Sequence, residues 1–293
     1  MIMGEPQTIH LCTPVFDVLK NPEPEEAIAL LSAGVVDEDL NRKDENTGYT
    51  SLLLAVSNCH ISVVIALLAA TGNDGHAADL NATGKRDGNT ALMIAADNGD
   101  VSVVAALLAA TGKGGVAVDL NMVNTHNNTA LMLASYRGYA DVVAVLIGAT
   151  TGKDGVHVDL NLTTEDGRTA LMIAASYGHA GAVEALITAT GKDGVPARLN
   201  HQNKEGDTAL MRAADEGHIE VVAALLAAPG KDGGAVDLNL QAFDLPENAT
   251  QAEREKAAHL FARAQYRTTA LINACIKGRS KSPFSIRESA REH

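Results

Sequence analysis

The chain has 293 residues, of which 46% are hydrophobic but only 3% are aromatic, and it contains no Trp. It is long enough for one or two domains with a buried core, and the scarcity of rings requires a core of Ala, Leu, Val, Ile and Met, which suits closely packed helices. The net charge of −13 argues against DNA, RNA or an anionic membrane as the main partner, because binding phosphate groups needs a basic surface.

The N-terminal region, residues 1–40, is predicted to form a divergent capping repeat, since a terminal repeat needs a polar outer face. Its first residues lack a basic stretch followed by an apolar one, so no export signal is predicted. No segment of the chain approaches the roughly 18 apolar residues of a membrane span. The three cysteines, Cys12, Cys59 and Cys275, are odd in number and lack metal-like spacing. Together these features predict a cytoplasmic protein.

The central region, residues 41–239, is built from five repeats of 39 or 40 residues, each marked by a Thr-(Ala/Ser)-Leu segment. The segments begin at Thr50, Thr90, Thr129, Thr169 and Thr208. In each repeat a turn precedes the Thr, whose hydroxyl can cap a short first helix. A glycine such as Gly99 or Gly138 then stands where a helix would end in a left-handed residue, and a second apolar helix follows.

These motifs resemble the ankyrin repeat, with its turn, Thr-Pro-Leu-His helix start, Gly-His link, Val-Val-x-x-Leu-Leu helix and return to Asp-x-Asn. The resemblance implies an all-α ankyrin-repeat solenoid of helix-turn-helix units. The sequence departs from the family pattern at the usual His, which is replaced by Leu53, Met93, Met132, Met172 or Met211. We therefore expect the family's buried inter-repeat histidine hydrogen bonds to be absent and apolar packing to take their place.

The repeats also exceed the family's length of about 33 residues, which predicts elongated loops between repeats. The surplus follows the second helix and alternates apolar residues with period two: Val116, Val118, Leu120; Val156, Val158, Leu160; and Val195, Ala197, Leu199. Such alternation indicates a short extended segment with one buried face. We expect these segments to stack from repeat to repeat as an additional apolar column.

The C-terminal region, residues 240–293, is predicted to be a cap that contains an inserted helix at 249–265 and an incomplete repeat beginning at Thr269.

The chain offers little that resembles catalytic chemistry. Lysine follows glycine at Gly112-Lys113 and in later repeats, but the next residue is Asp or Gly, not the Ser or Thr of a phosphate-binding loop. His60, His179 and His218 recur at the link between helices, which favours a structural role. No catalytic residue, metal or cofactor is predicted, and the protein is expected not to be an enzyme.

Binding residues are predicted at the fourth, seventh and eighth positions after each Thr, where the residue types vary from repeat to repeat. Tyr and Arg, which are enriched at interface hot spots, fall at these positions in neighbouring repeats, and turn residues border the same face. The predicted protein-binding residues are Arg86, Asp97, Asn98, His126, Leu133, Tyr136, Arg137, Arg168, Ile173, Tyr177, Arg212, Asp215 and Glu216.

The sequence therefore predicts a protein-binding adaptor that holds a partner segment, basic or of mixed charge, on the concave face of the repeats. The Thr-Ala-Leu-Met form of the motif resembles bacterial ankyrin proteins, including effectors delivered into host cells, which implies a host protein as partner and the host cytosol as location. Two alternatives stay open: a small enzyme with its site in the C-terminal insertion, and a plain intracellular scaffold.

Overall fold

The computed structural model describes residues 40–71, 77–151 and 155–228, together with positions 25, 27–29 and 236. The chain divides into two compact units, which we describe separately. Unit 1 comprises Met1–Thr125 and Thr151–Gly155, and unit 2 comprises His126–Thr150 and Val156–His293. Most of the predicted N-terminal cap and all of the predicted C-terminal cap lie outside the described residues.

Unit 1 contains two described repeats, each made of two antiparallel helices in the predicted order. The helices are α1 (Ser51–Ser57), α2 (Ile61–Ala69), α3 (Ala91–Asn98) and α4 (Val101–Ala109), followed by a 3-10 turn at Lys113–Gly115. The first helices of the repeats, α1 and α3, pack together, and so do the second helices, α2 and α4. Two helical layers enclose the core of this unit.

Unit 2 contains three described repeats with the same arrangement. The helices are α5 (Ala130–Arg137), α6 (Ala140–Gly148), α7 (Ala170–Ser176), α8 (Ala180–Thr188), α9 (Ala209–Glu216) and α10 (Ile219–Ala227). The first helices α5, α7 and α9 form one layer, and the second helices α6, α8 and α10 form the other. The unit also contains strand β2 (Val156–His157) and a 3-10 turn at Lys192–Gly194, and the two-residue strand β1 (Thr150–Thr151) lies at the boundary between the units. The predicted all-α architecture of helix-turn-helix repeats is confirmed in each unit.

Helix starts and ends follow the predicted local chemistry. In all five described repeats the Thr hydroxyl accepts a hydrogen bond from the backbone N–H three residues later, as Thr90 does from Met93 at 3.3 Å. Gly99, Gly138, Gly178 and Gly217 adopt φ between +75° and +79° at the end of the first helix. This left-handed conformation carries no steric cost for glycine, so the chain turns sharply into the second helix.

Three of the four methionines that replace the family's histidine belong to the core, as predicted, and the fourth, Met211, is half-buried. Met93, Met132 and Met172 are 1–2% exposed, so apolar packing does take the place of histidine hydrogen bonding there. Inter-repeat histidine bonds nevertheless exist at other positions, which the prediction did not foresee. His179 Nε2 lies 3.0 Å from the Tyr136 carbonyl oxygen, and His218 Nε2 lies 3.0 Å from that of Ser176. The link between helices, rather than the helix start, carries these contacts.

The surplus segments bury one face, as predicted, except at their first residue and, in the last segment, at Leu199. Val118 and Val158 are 2% and 1% exposed, whereas Val116, Val156 and Val195 are 56%, 39% and 43% exposed. The expectation of a buried first valine was wrong because that valine closes the preceding turn. In unit 1, for example, the Gly112 N–H donates to the Val116 carbonyl at 2.9 Å.

One segment in each unit also docks on the previous repeat of that unit. The Lys113 N–H donates to the Ala78 carbonyl at 3.0 Å in unit 1, and the Lys192 N–H donates to the Val158 carbonyl at 2.8 Å in unit 2. The later residues of the alternation are buried, as the predicted apolar column requires, at Val118, Leu120, Val158, Leu160 and Ala197, whereas Leu199 in the last segment is only half-buried.

An asparagine bridge between repeats accompanies this column and was not predicted. In unit 1 the Asn81 amide donates to the Ala117 carbonyl at 3.0 Å and accepts from the Asp119 N–H at 2.8 Å. In unit 2 the Asn161 amide donates to the Pro196 carbonyl at 2.9 Å and accepts from the Arg198 N–H at 2.8 Å. One side chain thereby satisfies a backbone donor and a backbone acceptor of the next repeat.

Candidate functional site

Three of the predicted binding residues lie in unit 1. Arg86 is exposed in the turn before α3, and at the end of α3 Asp97 is half-buried and Asn98 is exposed. The Asn98 amide donates to the Val56 carbonyl at 3.5 Å. Asn98 therefore joins two repeats of unit 1 in addition to presenting a polar surface.

The other ten predicted residues lie in unit 2, and nine of them retain exposed surface. His126, Tyr136, Arg137, Tyr177 and Glu216 are exposed, and Leu133, Arg168, Arg212 and Asp215 are half-buried. Ile173 is the exception. It was predicted on the binding face but is only 5% exposed, because α7 packs between α5 and α9 and its fourth-position side chain is covered by the neighbouring helices.

Two tyrosines from adjacent repeats form the most exposed aromatic surface of this face. Tyr136 ends the first helix of one repeat and Tyr177 ends that of the next, with ring centroids 4.6 Å apart and ring planes at 78°. Their exposed fractions are 42% and 46%. The Arg137 guanidinium carbon lies 5.4 Å from the Tyr136 ring centroid. Edge-to-face packing and the cation above the ring fix two aromatic side chains while leaving them open to a partner.

A histidine of the helix link holds this tyrosine pair in place. His179 binds the Tyr136 carbonyl, and its ring lies parallel to that of Tyr177 with centroids 6.3 Å apart. The ring also packs over Gly138, where an added Cβ would overlap it. Glycine at position 138 thus serves two purposes, the left-handed turn and the close approach of His179.

Next to Tyr177 lies a cavity of about 340 Å³. Its lining comes from two repeats of unit 2 and comprises Arg168, Ser176, Tyr177, Arg212, Glu216 and His218. Arg212 Nε donates to Ser176 Oγ at 3.2 Å, which orients the guanidinium group. The terminal nitrogens of Arg212 lie 3.6 Å from an Asp207 oxygen and 3.7 Å from a Glu216 oxygen. Both distances exceed that of an ordinary hydrogen bond.

Arg168 enters the same cavity from the turn before α7. Its buried Nε forms an ion pair with Asp166 Oδ2, at a distance of 2.6 Å. Burial acts to raise the pKa of Asp166, but the Thr164 hydroxyl and the Arg168 charge outweigh it, so the pKa lies below its ordinary value. Asp166 therefore remains a carboxylate at neutral pH and accompanies the Arg168 charge.

Burial also raises the pKa of two further groups around the cavity. It raises the pKa of Asp207, and the positive charge of Arg212 offsets only part of this effect. Burial and the neighbouring Tyr136 raise the pKa of Tyr177, against the opposing charges of Arg168 and Arg212. Tyr177 is therefore a neutral phenol at physiological pH, able both to donate and to accept a hydrogen bond.

Sequence reasoning missed Asp207, which lies 3.6 Å from Arg212. Ser176, at the predicted seventh position after Thr169, orients Arg212, and His179 and His218, which were predicted to be structural, bind backbone carbonyls of the preceding repeat. Asp207 and Arg168 each directly precede a capping Thr, and this shared position is the signal that would have identified Asp207.

Among the described residues, no group of three or more His, Cys, Asp or Glu side chains is placed to hold a metal ion. No helix in the same part of the chain is long and apolar enough to span a membrane.

Comparison with known proteins supports the repeat assignment. A family model described as ankyrin repeats matches three times, at residues 7–113, 73–155 and 151–241. No curated protein matches the chain. Among solved structures, EF0377, an ankyrin repeat protein, is similar with a TM-score of 0.58 and 22% identity, over 73% of this chain and 96% of that one. The ankyrin repeat domain of Bcl-3, a member of the IκB protein family, is similar with a TM-score of 0.58 and 24% identity, over 78% and 89%. At this level of identity the two structures establish the fold.

Proposed function

Because the chain belongs to the ankyrin-repeat family, whose repeats are generally protein–protein interaction modules, we propose that it is an adaptor that binds a partner protein without catalysing a reaction. The partner segment, extended or helical, lies across the first helices α5, α7 and α9 of unit 2. The exposed Tyr136–Tyr177 pair carries this proposal. In a chain with only five tyrosines, two of them meet edge to face on the varied surface of adjacent repeats.

The surroundings of the pair support a partner segment of mixed charge. Arg137, Arg168 and Arg212 lie around the two tyrosines, while Asp215 and Glu216 end α9 nearby in the next repeat. Basic residues of the partner are attracted by the acidic body of the chain, and the arginines offer planar donors for acidic ones. The resemblance to bacterial effectors favours a host protein as the partner and the cytosol as the location.

A peptide selection tests the proposal on the full chain. The immobilised protein is screened against a phage-displayed library of random peptides, and the affinity of a selected peptide is measured by fluorescence polarisation. The double variant Tyr136→Ala/Tyr177→Ala is expected to weaken binding by about 30-fold or more, since truncating interface hot spots typically costs at least about 2 kcal/mol.

Tyr139→Ala is the matched control for this experiment. Tyr139 is also an exposed tyrosine of unit 2, 38% accessible, but it lies at the start of α6 and outside the pair. Its substitution should leave peptide affinity unchanged, and circular dichroism verifies that each variant is folded. Equal affinity of the double variant and the unchanged chain would reject the proposed face.

A further inference from the structure

The cavity beside the tyrosine pair brings together two guanidinium groups with unused donors. Among the described residues, the four terminal N–H groups of Arg212 have only the long contacts to Asp207 and Glu216. Arg168 pairs with Asp166 through Nε, and its terminal N–H groups make no hydrogen bond with the described part of the chain. A buried or half-buried donor without an acceptor is costly. An acceptor supplied from outside would therefore bind favourably.

The charge around the cavity differs from that of the chain as a whole. Three arginines, Arg137, Arg168 and Arg212, surround the tyrosines, and the carboxylates Asp166, Asp207, Asp215 and Glu216 lie close to them. The residues that line the cavity itself include two arginines and one glutamate, whereas the whole chain carries −13. The lining of the cavity is thus less acidic than the chain as a whole. One negatively charged group that the rest of the chain would repel can therefore enter it.

The geometry of the donors also limits which chemical group the cavity can bind. Arg212 is held by Ser176 Oγ through Nε, and its terminal nitrogens lie 3.6 Å from Asp207 and 3.7 Å from Glu216, beyond hydrogen-bond distance. The Tyr177 phenol lines the same cavity as the guanidinium groups of Arg168 and Arg212 and carries a hydroxyl. Planar guanidinium groups with a hydroxyl nearby suit a carboxylate, which accepts paired hydrogen bonds.

We infer that this cavity receives one carboxylate side chain, Glu or Asp, from the bound partner segment. The inference rests on the proposed function and specifies its anchoring contact. A phosphorylated side chain presents similar oxygens, but its charge of nearly −2 at neutral pH would be repelled more strongly by Asp166, Asp207 and Glu216. The carboxylate therefore fits the site better.

The test uses the peptides selected on the full chain. An acidic residue should be enriched at one fixed position, and four synthetic versions of the best peptide should then carry Glu, Gln, Lys or phosphoserine there. The Gln peptide should bind about tenfold to a hundredfold more weakly than the Glu peptide, because charge-assisted hydrogen bonds are lost. Tighter binding of the phosphoserine peptide would overturn the carboxylate in favour of a phosphate.

Protein variants assign the effect to the cavity. Arg168→Gln and Arg212→Gln should each remove most of the preference for Glu over Gln, and Arg212→Glu should prefer the Lys peptide. Arg198→Gln is the control, since Arg198 is an exposed arginine of unit 2 on a surplus segment. Arg168→Gln keeps the test valid if the Arg212 variants do not fold, because among the described residues the Arg168 side chain pairs only with Asp166 of the same turn.

Two results separate this inference from the proposed function. Peptides that depend on Tyr136 and Tyr177 but show no acidic preference, or no effect of either arginine, would overturn the carboxylate site and leave the binding face intact. Peptides that bind independently of the tyrosines would overturn the proposed face itself.

Discussion

Cys59 shows how one residue departs from the rule of its repeat. It adopts φ +58° at the position where four other repeats have glycine, and a side chain in the left-handed region costs roughly 1–2 kcal/mol. Cys59→Gly is therefore expected to stabilise the protein by about 1 kcal/mol, part of the gain being lost to the greater freedom of glycine in the unfolded chain. The measurement is the free energy of unfolding in urea.

Cys59→Ala is the matched control for that substitution. It removes the same thiol, including its 3.6 Å contact with the Asn98 amide, but keeps a Cβ at positive φ. No gain is expected from alanine. A stabilisation as large as that of glycine would show that the thiol, rather than the backbone, determines the effect.

At the residue scale, the features that could be predicted are the local ones. A Thr that caps its own helix and a glycine that ends it depend on residues within four positions, so Thr90 and Gly99 could be assigned from sequence alone. The difference in exposure between Ile173 and Arg212 could not be predicted, because both occupy the fourth position after Thr. Ile173 is covered because helices pack on both sides of α7, and Arg212 is half-exposed while Ser176 of the preceding repeat orients it.

At the scale of elements, the surplus segment gives each repeat a second buried row. Val158 is 1% exposed and Val156 is 39% exposed, although only one residue separates them. Val158→Ala should destabilise the protein by about 2 kcal/mol, because it removes two buried methyl groups and leaves a cavity. Val156→Ala should change stability by no more than about 0.5 kcal/mol.

Thermal or urea unfolding of the two variants checks this prediction, and each valine serves as the control for the other. Equal losses would mean that the segment does not pack as a strand-like row with one buried face. A larger loss for Val156→Ala would mean that the register of the alternation is shifted by one residue.

The extra length and the alternation of these segments were readable in the sequence, since both are periodic. The asparagine bridge was not. Asn161 stands in the return to Asp-x-Asn, but its partners Pro196 and Arg198 are 35 and 37 residues away. Which backbone groups face it depends on how consecutive repeats align in space, and no local pattern encodes that alignment.

At the scale of the whole molecule, repetition made the fold predictable while leaving the site underdetermined. Five copies of one motif fix the helix pairs and their packing, because each copy must bury its apolar face against the next. The site depends on residues that differ between copies, and sequence reasoning found Tyr136, Tyr177 and Arg212 but not the supporting roles of His179 and Asp207.

We propose that residues 1–40 and 240–293 cap the repeats. We also propose that the acidic part of the chain before Ala252, with 14 Lys/Arg against 32 Asp/Glu, attracts the basic part of the partner.

The most direct test of the binding face is to locate a bound peptide on the full chain. A peptide selected on the protein is synthesised with a photoreactive benzoyl-phenylalanine, and the cross-linked residues are identified by mass spectrometry. Cross-links are predicted on the first helices of unit 2 and the residues that end them, within 130–137, 170–177 and 209–216. Cross-links concentrated instead on the second helices, within 140–148, 180–188 and 219–227, would contradict the account.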